Sequence, residues 1–374
     1  MNNKHHLLQK LPVNLKHLAL KDWEELCEAL GIAPASRKQV FEAVYHHNIG
    51  SPEEITSISG QERDALRHAV IIPPSVRESL VPSSDGSWKL TLRLHDGGLA
   101  ETVIIPEWED GKLRKCSASI SSQIGCFFGC SFCATGKMGF HRNLSTGELI
   151  DQVREAELAV REQLNSEITH LYFMGMGEPM HNYRAVSDAL SIMRNPSAPG
   201  PVPDRITVST VGLYRQIRML ADDHPQVRLA VSIHSADQQT RREIMPVSAR
   251  LGLPEIRDAL IYHNRRTGHP ATIQYLLMGG VNDRPEDADN LISYLDGLGV
   301  RITLIMYNDV PEAPGNRTEI DRMQRFRGIL NDAGLDTDVR WCYGEDIDAG
   351  CGQLKIPVNR ERVSVSMRHP AAES

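Results

Sequence analysis

The 374-residue chain predicts an α/β fold: a parallel sheet, or an open or closed barrel with helices outside, behind a small helical module. Three observations predict it. From residue 115 onward, short β-branched runs alternate with amphipathic stretches, and the notable polar residues fall at the C-terminal ends of those runs. Before about residue 85 the apolar residues recur at helical spacing instead.

Taken in order, DWEELCEALG (Asp22–Gly31) and SRKQVFEAVYHH (Ser36–His47) carry apolar faces joined by GIAPA, and GQERDALRHAV (Gly60–Val70) makes a third short helix. Cys27 falls on a core position of the first. SWKLTLRL (Ser87–Leu94) and AETVIIP (Ala100–Pro106) flank HDGG and predict a hairpin. The expected division is an accessory domain over 1–85, a connecting hairpin over 86–110, a core over 111–355 and a tail over 356–374, frayed from about Arg362. Within the core, Ser145 and Glu148 form a capping box ahead of a helix that places Leu149, Val153, Ala156 and Val160 on one face. ITHLYFM follows as a strand and leads into GMGEP (Gly175–Pro179). RITVST (Arg205–Thr210), VRLAVSIH (Val227–His234), ATIQYLLM (Ala271–Met278), VRITLIMY (Val300–Tyr307) and TDVRW (Thr337–Trp341) are further strands. Ser209, Ser232, His234 and Asn308 stand at the ends of theirs. No repeat of 20 to 50 residues and no low-complexity tract interrupts the pattern.

Composition narrows the class. Hydrophobic residues make up 41% and charged ones 24%, no run approaches the length of a membrane span, and MNNKHHLLQKL lacks a signal peptide's apolar stretch. A cytoplasmic protein with no membrane partner is the expectation. Seven cysteines are too few for a disulfide scaffold, so a tight group of them points to metal or chemistry. A net charge of −7 argues against a protein that coats nucleic acid. Yet Gly111–Arg142 holds Lys112, Arg114, Lys115, Lys137 and Arg142 with no Asp or Glu, so a polyanion meets a positive field there.

In that basic stretch Cys126, Cys130 and Cys133 have the spacing C-x3-C-x2-C, with no fourth Cys or His beside them. Structural zinc wants four closed ligands. Three thiolates suit a four-iron cluster whose last iron stays open to a small molecule. The spacing resembles that of the radical S-adenosylmethionine (SAM) superfamily, in which the open iron binds the amino and carboxylate groups of SAM and reduction yields a deoxyadenosyl radical. GMGEP, one β-α unit later, can offer backbone groups and the Glu178 carboxylate to an ammonium group.

Several stretches together resemble one family within it, the RlmN/Cfr-type radical SAM methyltransferases. They are SSDGSWKL, ETVIIPE, SISSQIGCFFGCSFCATGKMGFHRNL, FMGMGEPM, RITVSTVG, LAVSIHSA, GGVNDRPEDA, YNDVPEAPG and GEDIDAGCGQL, in order over residues from about 20 to 355. The resemblance implies a radical SAM partial (β/α) barrel, one [4Fe–4S] cluster on Cys126, Cys130 and Cys133, and SAM as methyl donor and radical source. It implies SAM contacts from Gly177, Glu178, Ser209, Ser232, His234 and Asn308, a methyl carrier at Cys351, and Glu101 as proton acceptor. The implied substrate is an adenine in ribosomal or transfer RNA, engaged by the N-terminal module, and the implied electron source is an external donor such as flavodoxin or ferredoxin. In this chemistry the methyl group is first placed on the Cys351 thiolate, because carbon 2 or 8 of adenine is too poor a nucleophile to take it from SAM. A hydrogen is then removed from the S-methyl group, and the methylene radical adds to the ring. A second thiolate must attack the Cys351 sulfur to release the product, leaving a disulfide.

One departure stands out. The family's second cysteine precedes a V/I-S-S-Q run, and this chain has Ser119 there. A hydroxyl is less acidic and less thiophilic than a thiol and forms no disulfide, so the usual release step fails at that atom. Cys342, nine residues before Cys351, and Cys116, three before Ser119, are the other thiols at hand. If residues 115–123 are a strand, Cys116 and Ser119 point to opposite faces, about 10 Å apart along it. The alternative reading is an enzyme of this lineage with a changed acceptor or a non-standard product.

Overall fold

The computed structural model describes residues 11–355, apart from 48, 312 and 314. The segment assigned to 356–374, with its expected frayed end, lies outside the described residues.

Three helices come first: α1 (Leu20–Ala29), α2 (Pro34–Tyr45) and α3 (Gly60–Ala69). α2 begins on a proline, which costs nothing in a first turn whose N–H groups lack helical partners. α3 is held by a capping box in which Ser59 Oγ accepts from the Glu62 N–H and the Glu62 carboxylate accepts from the Ser59 N–H. Trp23 and Phe41 meet edge to face at 5.7 Å and join α1 to α2. Cys27 is fully buried beside them, and burial pushes its thiol up to about 12. These helices share one contiguous apolar core with the rest of the chain. Beneath them Asp151 Oδ1 accepts from Lys16 (2.9 Å) and Arg154 (2.6 Å), while Oδ2 accepts from Ser75 Oγ (2.8 Å). Every buried charge in this knot is paired, and loss of one partner would leave the others stranded.

Ten strands form one sheet in which spatial order equals chain order. They are β1 (Val76–Pro82), β2 (Trp88–Arg93), β3 (Leu99–Glu109), β4 (Lys112–Ser119), β5 (His170–Phe173), β6 (Ile206–Thr210), β7 (Arg228–Ser232), β8 (Ala271–Leu277), β9 (Val300–Met306) and β10 (Thr337–Arg340). β1 to β4 pair antiparallel and β4 to β10 parallel. Helices α4 (Thr146–Leu164), α5 (Tyr183–Met193), α6 (Tyr214–Asp223), α7 (Gln238–Ile244), α8 (Leu253–Thr267), α9 (Pro285–Leu295) and α10 (Ile320–Asp332) supply the crossovers that parallel pairing demands. β1 and β10 remain the two edges, so the barrel is partial. α4 opens with the expected box, Ser145 N–H to Glu148 at 2.8 Å and Glu148 N–H to Ser145 Oγ at 3.3 Å.

The hairpin strands are β2 and β3, both integral to this sheet. β1, which lies within the segment expected as accessory, joins it as well. Its residues are partly exposed on both faces, so the alternation that marks a strand is faint. Among the described residues no helix is long and apolar enough to cross a membrane.

Candidate active site

Alternation along β3 and β4 separates two faces. Ala100, Ile104, Cys116 and Ala118 enter the helix-covered core, whereas Val103, Ile105 and Ser119 line a cavity of about 210 Å³ inside the barrel. Cys116 and Ser119 therefore do sit on opposite faces, and the Cys116 thiol is shut into the core.

Cys126, Cys130 and Cys133 line the cavity from the loop between a short ribbon (Gln123–Gly125 with Phe140–Asn143) and the short helix Ala134–Lys137. Backbone bonds shape this loop: Cys126 N–H to Gly139 O at 3.0 Å, Cys133 N–H to Cys130 O at 3.2 Å and Ser131 N–H to Ile244 O at 2.9 Å. Burial pushes the Cys126 thiol up to about 12, and burial followed by the other thiols drives Cys130 up as well. Such a trio ionises only against a strong positive charge. Among the described residues no three His, Cys, Asp or Glu converge as ligands of a single ion would. Thiolates bound to separate irons of one cluster do not share an ion.

Facing the thiols, Gly177 makes the turn after β5 at φ +93°, where a Cβ would stand 2.5 Å from the Gln123 side chain. The adjoining Glu178 is buried, its carboxylate accepting from the Met180 and Val211 N–H groups at 2.9 Å each. Burial still raises it to about 7. Ser209 and Ser232 each donate to Gln274 Oε1, at 2.8 and 3.1 Å. His234 receives the Leu276 N–H on Nδ1 at 3.0 Å, which leaves the proton of the neutral ring on Nε2. Burial, then the Arg241 charge, lowers this imidazole to about 3, so it stays neutral.

Cys351 is exposed at the cavity's edge. Its carbonyl accepts from Asn308 Nδ2 at 3.0 Å, the Gly352 carbonyl from the Ala134 N–H at 2.7 Å and the Leu354 carbonyl from Thr135 Oγ1 at 2.6 Å. The Cys351 loop is thereby laid across the three-cysteine segment. Gly350 permits it, since a Cβ there would come 2.5 Å from Asn308 Nδ2. SSDGSWKL holds the other end of the segment: Ser84 N–H bonds Asp346 at 2.9 Å and Gly344 N–H bonds Asp85 at 2.6 Å.

Two expected site residues are not among those that line the cavity, although Glu101 stands on the same face of β3 as Val103 and Ile105. Asn308 is occupied by the Cys351 carbonyl and by Arg317, which donates to its Oδ1 at 3.2 Å. Glu101 is fully buried, with Lys89 Nζ 3.5 Å away, and burial, opposed by Lys89, raises it to about 7. Cys342 turns from the cavity to give its S–H to the Met306 carbonyl at 3.3 Å, while its neighbours Trp341 and Tyr343 line the cavity. Of the five bases between Gly111 and Arg142, three are already neutralised: Arg114 by Glu109, Lys115 by Glu107, and Arg142 by Asp96 and Glu148.

Sequence reasoning missed Gln274, which gathers the two serines, and Asn282, which donates to the His234 carbonyl at 2.6 Å. A lone Gln inside the apolar run ATIQYLLM was the available signal for the first.

Comparison with known proteins agrees with this geometry. Residues 120–292 match the Radical SAM superfamily. The chain is 36% identical over 345 residues to the dual-specificity RNA methyltransferase RlmN of Anaeromyxobacter sp., covering 91% of this chain and 90% of that one. It is likewise 36% identical to the protein of that name from Alcanivorax borkumensis, over 350 residues, 91% of this chain and 90% of that one. A crystal structure of a radical SAM methyltransferase from Sphaerobacter thermophilus superposes with a TM-score of 0.83 at 35% identity, over 91% of this chain and 99% of the other.

Proposed function

Because the chain belongs to the RlmN family of radical SAM methyltransferases, RNA methylation is its activity, and we propose that it acts on an adenine ring carbon with Cys351 as methyl carrier. Family membership brings one [4Fe–4S] cluster and SAM. The residues fit them: three partly buried thiols, each raised above the ordinary thiol value by desolvation, stand together, and backbone, carboxyl and hydroxyl groups face them across a cavity. Cys126, Cys130 and Cys133 would hold the cluster, and Gly177, Glu178, Ser209, Ser232 and His234 would hold SAM. Bound there, the pair supplies a methyl group and a hydrogen-abstracting radical, with the electron coming from an external donor of flavodoxin or ferredoxin type.

The chain's own residues then have separate tasks. His234 presents a fixed N–H, and Glu178 ties the β5 and β6 loops together. Asn308 acts through the Cys351 carbonyl and so positions the carrier, rather than touching SAM. Glu101, ionising near neutrality, is suited to take the ring proton, a base being most effective when its pKa lies near the working pH.

The observation that carries this reading is that Cys351 is held at the edge of the cavity that the three cysteines line. Its test is Cys351→Ala, assayed with methyl-labelled SAM and RNA under reducing anaerobic conditions. Label transfer is expected to vanish while SAM cleavage persists; methyl transfer that survives the change would sink the carrier role. Ser119 favours a second reading, in which the thioether between Cys351 and RNA persists, because a hydroxyl faces the cavity and the Cys116 thiol does not. An RNA–protein adduct in the wild type would identify it.

A further inference from the structure

A second cavity of about 740 Å³ continues from the first toward the N-terminal ends of the parallel strands. Ile105, Met174, Gln274, Arg340, Trp341 and Tyr343 line both, so the barrel interior is one passage. Lys115, Arg205, Arg228, Arg301 and Arg340 surround its lower part, against the carboxylates of Glu107, Asp204 and Asp338. Lys115 is spent on Glu107 at 2.7 Å and Arg301 on Asp336 at 3.5 Å. Among the described residues Arg205, Arg228 and Arg340 have no carboxylate at ion-pair distance. Arg228 bonds the Asp204 carbonyl at 3.4 Å. Arg340 bonds the Met174 sulfur at 3.4 Å and lies 5.7 Å from the Tyr172 ring centroid, as Lys115 does. In a chain of net charge −7 this is a local positive excess. His170 registers it: burial first, then Lys115 and Arg205, hold its imidazole below the ordinary value.

The aromatic content is equally unusual. Trp341 leaves 53% of its surface in water where the two cavities join. An indole so exposed beside guanidinium groups is a surface on which an unpaired base can stack. At the other end of the passage the Cys351 loop is hydrogen-bonded across the cysteine segment.

We propose that this lower mouth is the entry for single-stranded RNA: Arg205, Arg228 and Arg340 take its phosphates, and one unstacked base passes Trp341 to the cavity of Cys351. The proposal rests on the reading of RNA as the substrate, and it places recognition on the barrel itself in addition to the N-terminal module. On this proposal an acidic chain meets a polyanion through a basic, aromatic-edged mouth.

The test uses the full-length, cluster-reconstituted protein under anaerobic conditions and a fluorescein-labelled RNA stem-loop with unpaired adenines, read by anisotropy across a salt series. Arg205→Gln/Arg228→Gln is expected to weaken binding about 10-fold and to lower the slope of log K against log salt by about 1.4, or about 0.7 per phosphate contact. Trp341→Ala is expected to lose roughly 5- to 150-fold, the worth of one stacked base, with the slope unchanged. Arg265→Gln/Arg266→Gln on α8, away from the mouth, is expected to bind as wild type. If wild type binds no RNA, the reading of RNA as substrate falls and this proposal with it. If wild type binds and both mouth variants match it, the entry site is wrong and the RNA reading stands. If the α8 control weakens binding as much as the mouth pair, the effect is general charge and the proposal is overturned.

Discussion

Glutamine in place of Glu101 is expected to flatten the pH dependence of folding near neutrality. Glu101 is fully buried, and burial outweighs Lys89, 3.5 Å away, so its carboxyl ionises near 7 instead of 4.5. Between those two values the folded chain keeps a proton that the unfolded chain has released. The stability tied to this proton is fully present below the unfolded value and is lost as pH rises through about 7. From about pH 5 to about pH 8 the loss comes to about 2 to 3 kcal/mol. Urea unfolding of the cluster-free protein at a series of pH values measures it. Glu178 contributes with the same sign, so wild type keeps a residual slope that Glu101→Gln retains. If the variant's pH dependence matches wild type within about 0.5 kcal/mol, the buried, raised carboxyl is wrong, and with it the argument that Glu101 is a base matched to neutral pH.

Ser119→Cys puts a thiol on the cavity face of β4, and single-turnover assays are expected to show RNA released from adducts that wild type retains; equal release by both proteins would show that another group resolves the adduct. In that event Cys342→Ser is the next variant, since Cys342 lies beside Asn308, which holds the Cys351 carbonyl, whereas Cys116 is walled into the core. Gln274→Leu removes the acceptor shared by Ser209 and Ser232, and SAM affinity, measured by calorimetry on the reconstituted protein, is expected to fall about 5- to 30-fold. Gly350→Ala drives a methyl group against Asn308 and Gln353, so limited proteolysis is expected to cut the Cys351 loop faster while the rest of the barrel resists; unchanged cleavage would mean the loop has room to spare.

What the sequence disclosed follows from how far each signal reaches along the chain. The cysteine trio, the Gly177–Glu178 turn and the serines at strand ends are local patterns, and each lands on the cavity. The faces of Cys116 and Ser119 follow from strand alternation alone. Interactions between distant segments left no such trace. SSDGSWKL and GEDIDAGCGQL look like unrelated motifs, yet the first holds the second through Asp85 and Asp346, some 260 residues apart in the chain. Asn308 ends its strand as expected, but its side chain serves the carrier loop, a role only the fold reveals. The partners of Arg114, Lys115 and Arg142 were invisible for the same reason, which is why the basic stretch looked freer than it is.

The clasp of Gly352 and Leu354 over Ala134 and Thr135 also bears on how the protein is made. The cysteine segment leaves the ribosome roughly 220 residues before the strip that closes over it, an interval on the order of ten to forty seconds at ordinary elongation rates. Throughout it the three thiols lack the cover that Gly352 and Leu354 later supply. Translation order thus leaves the cysteine segment without its cover for an interval before the clasp forms.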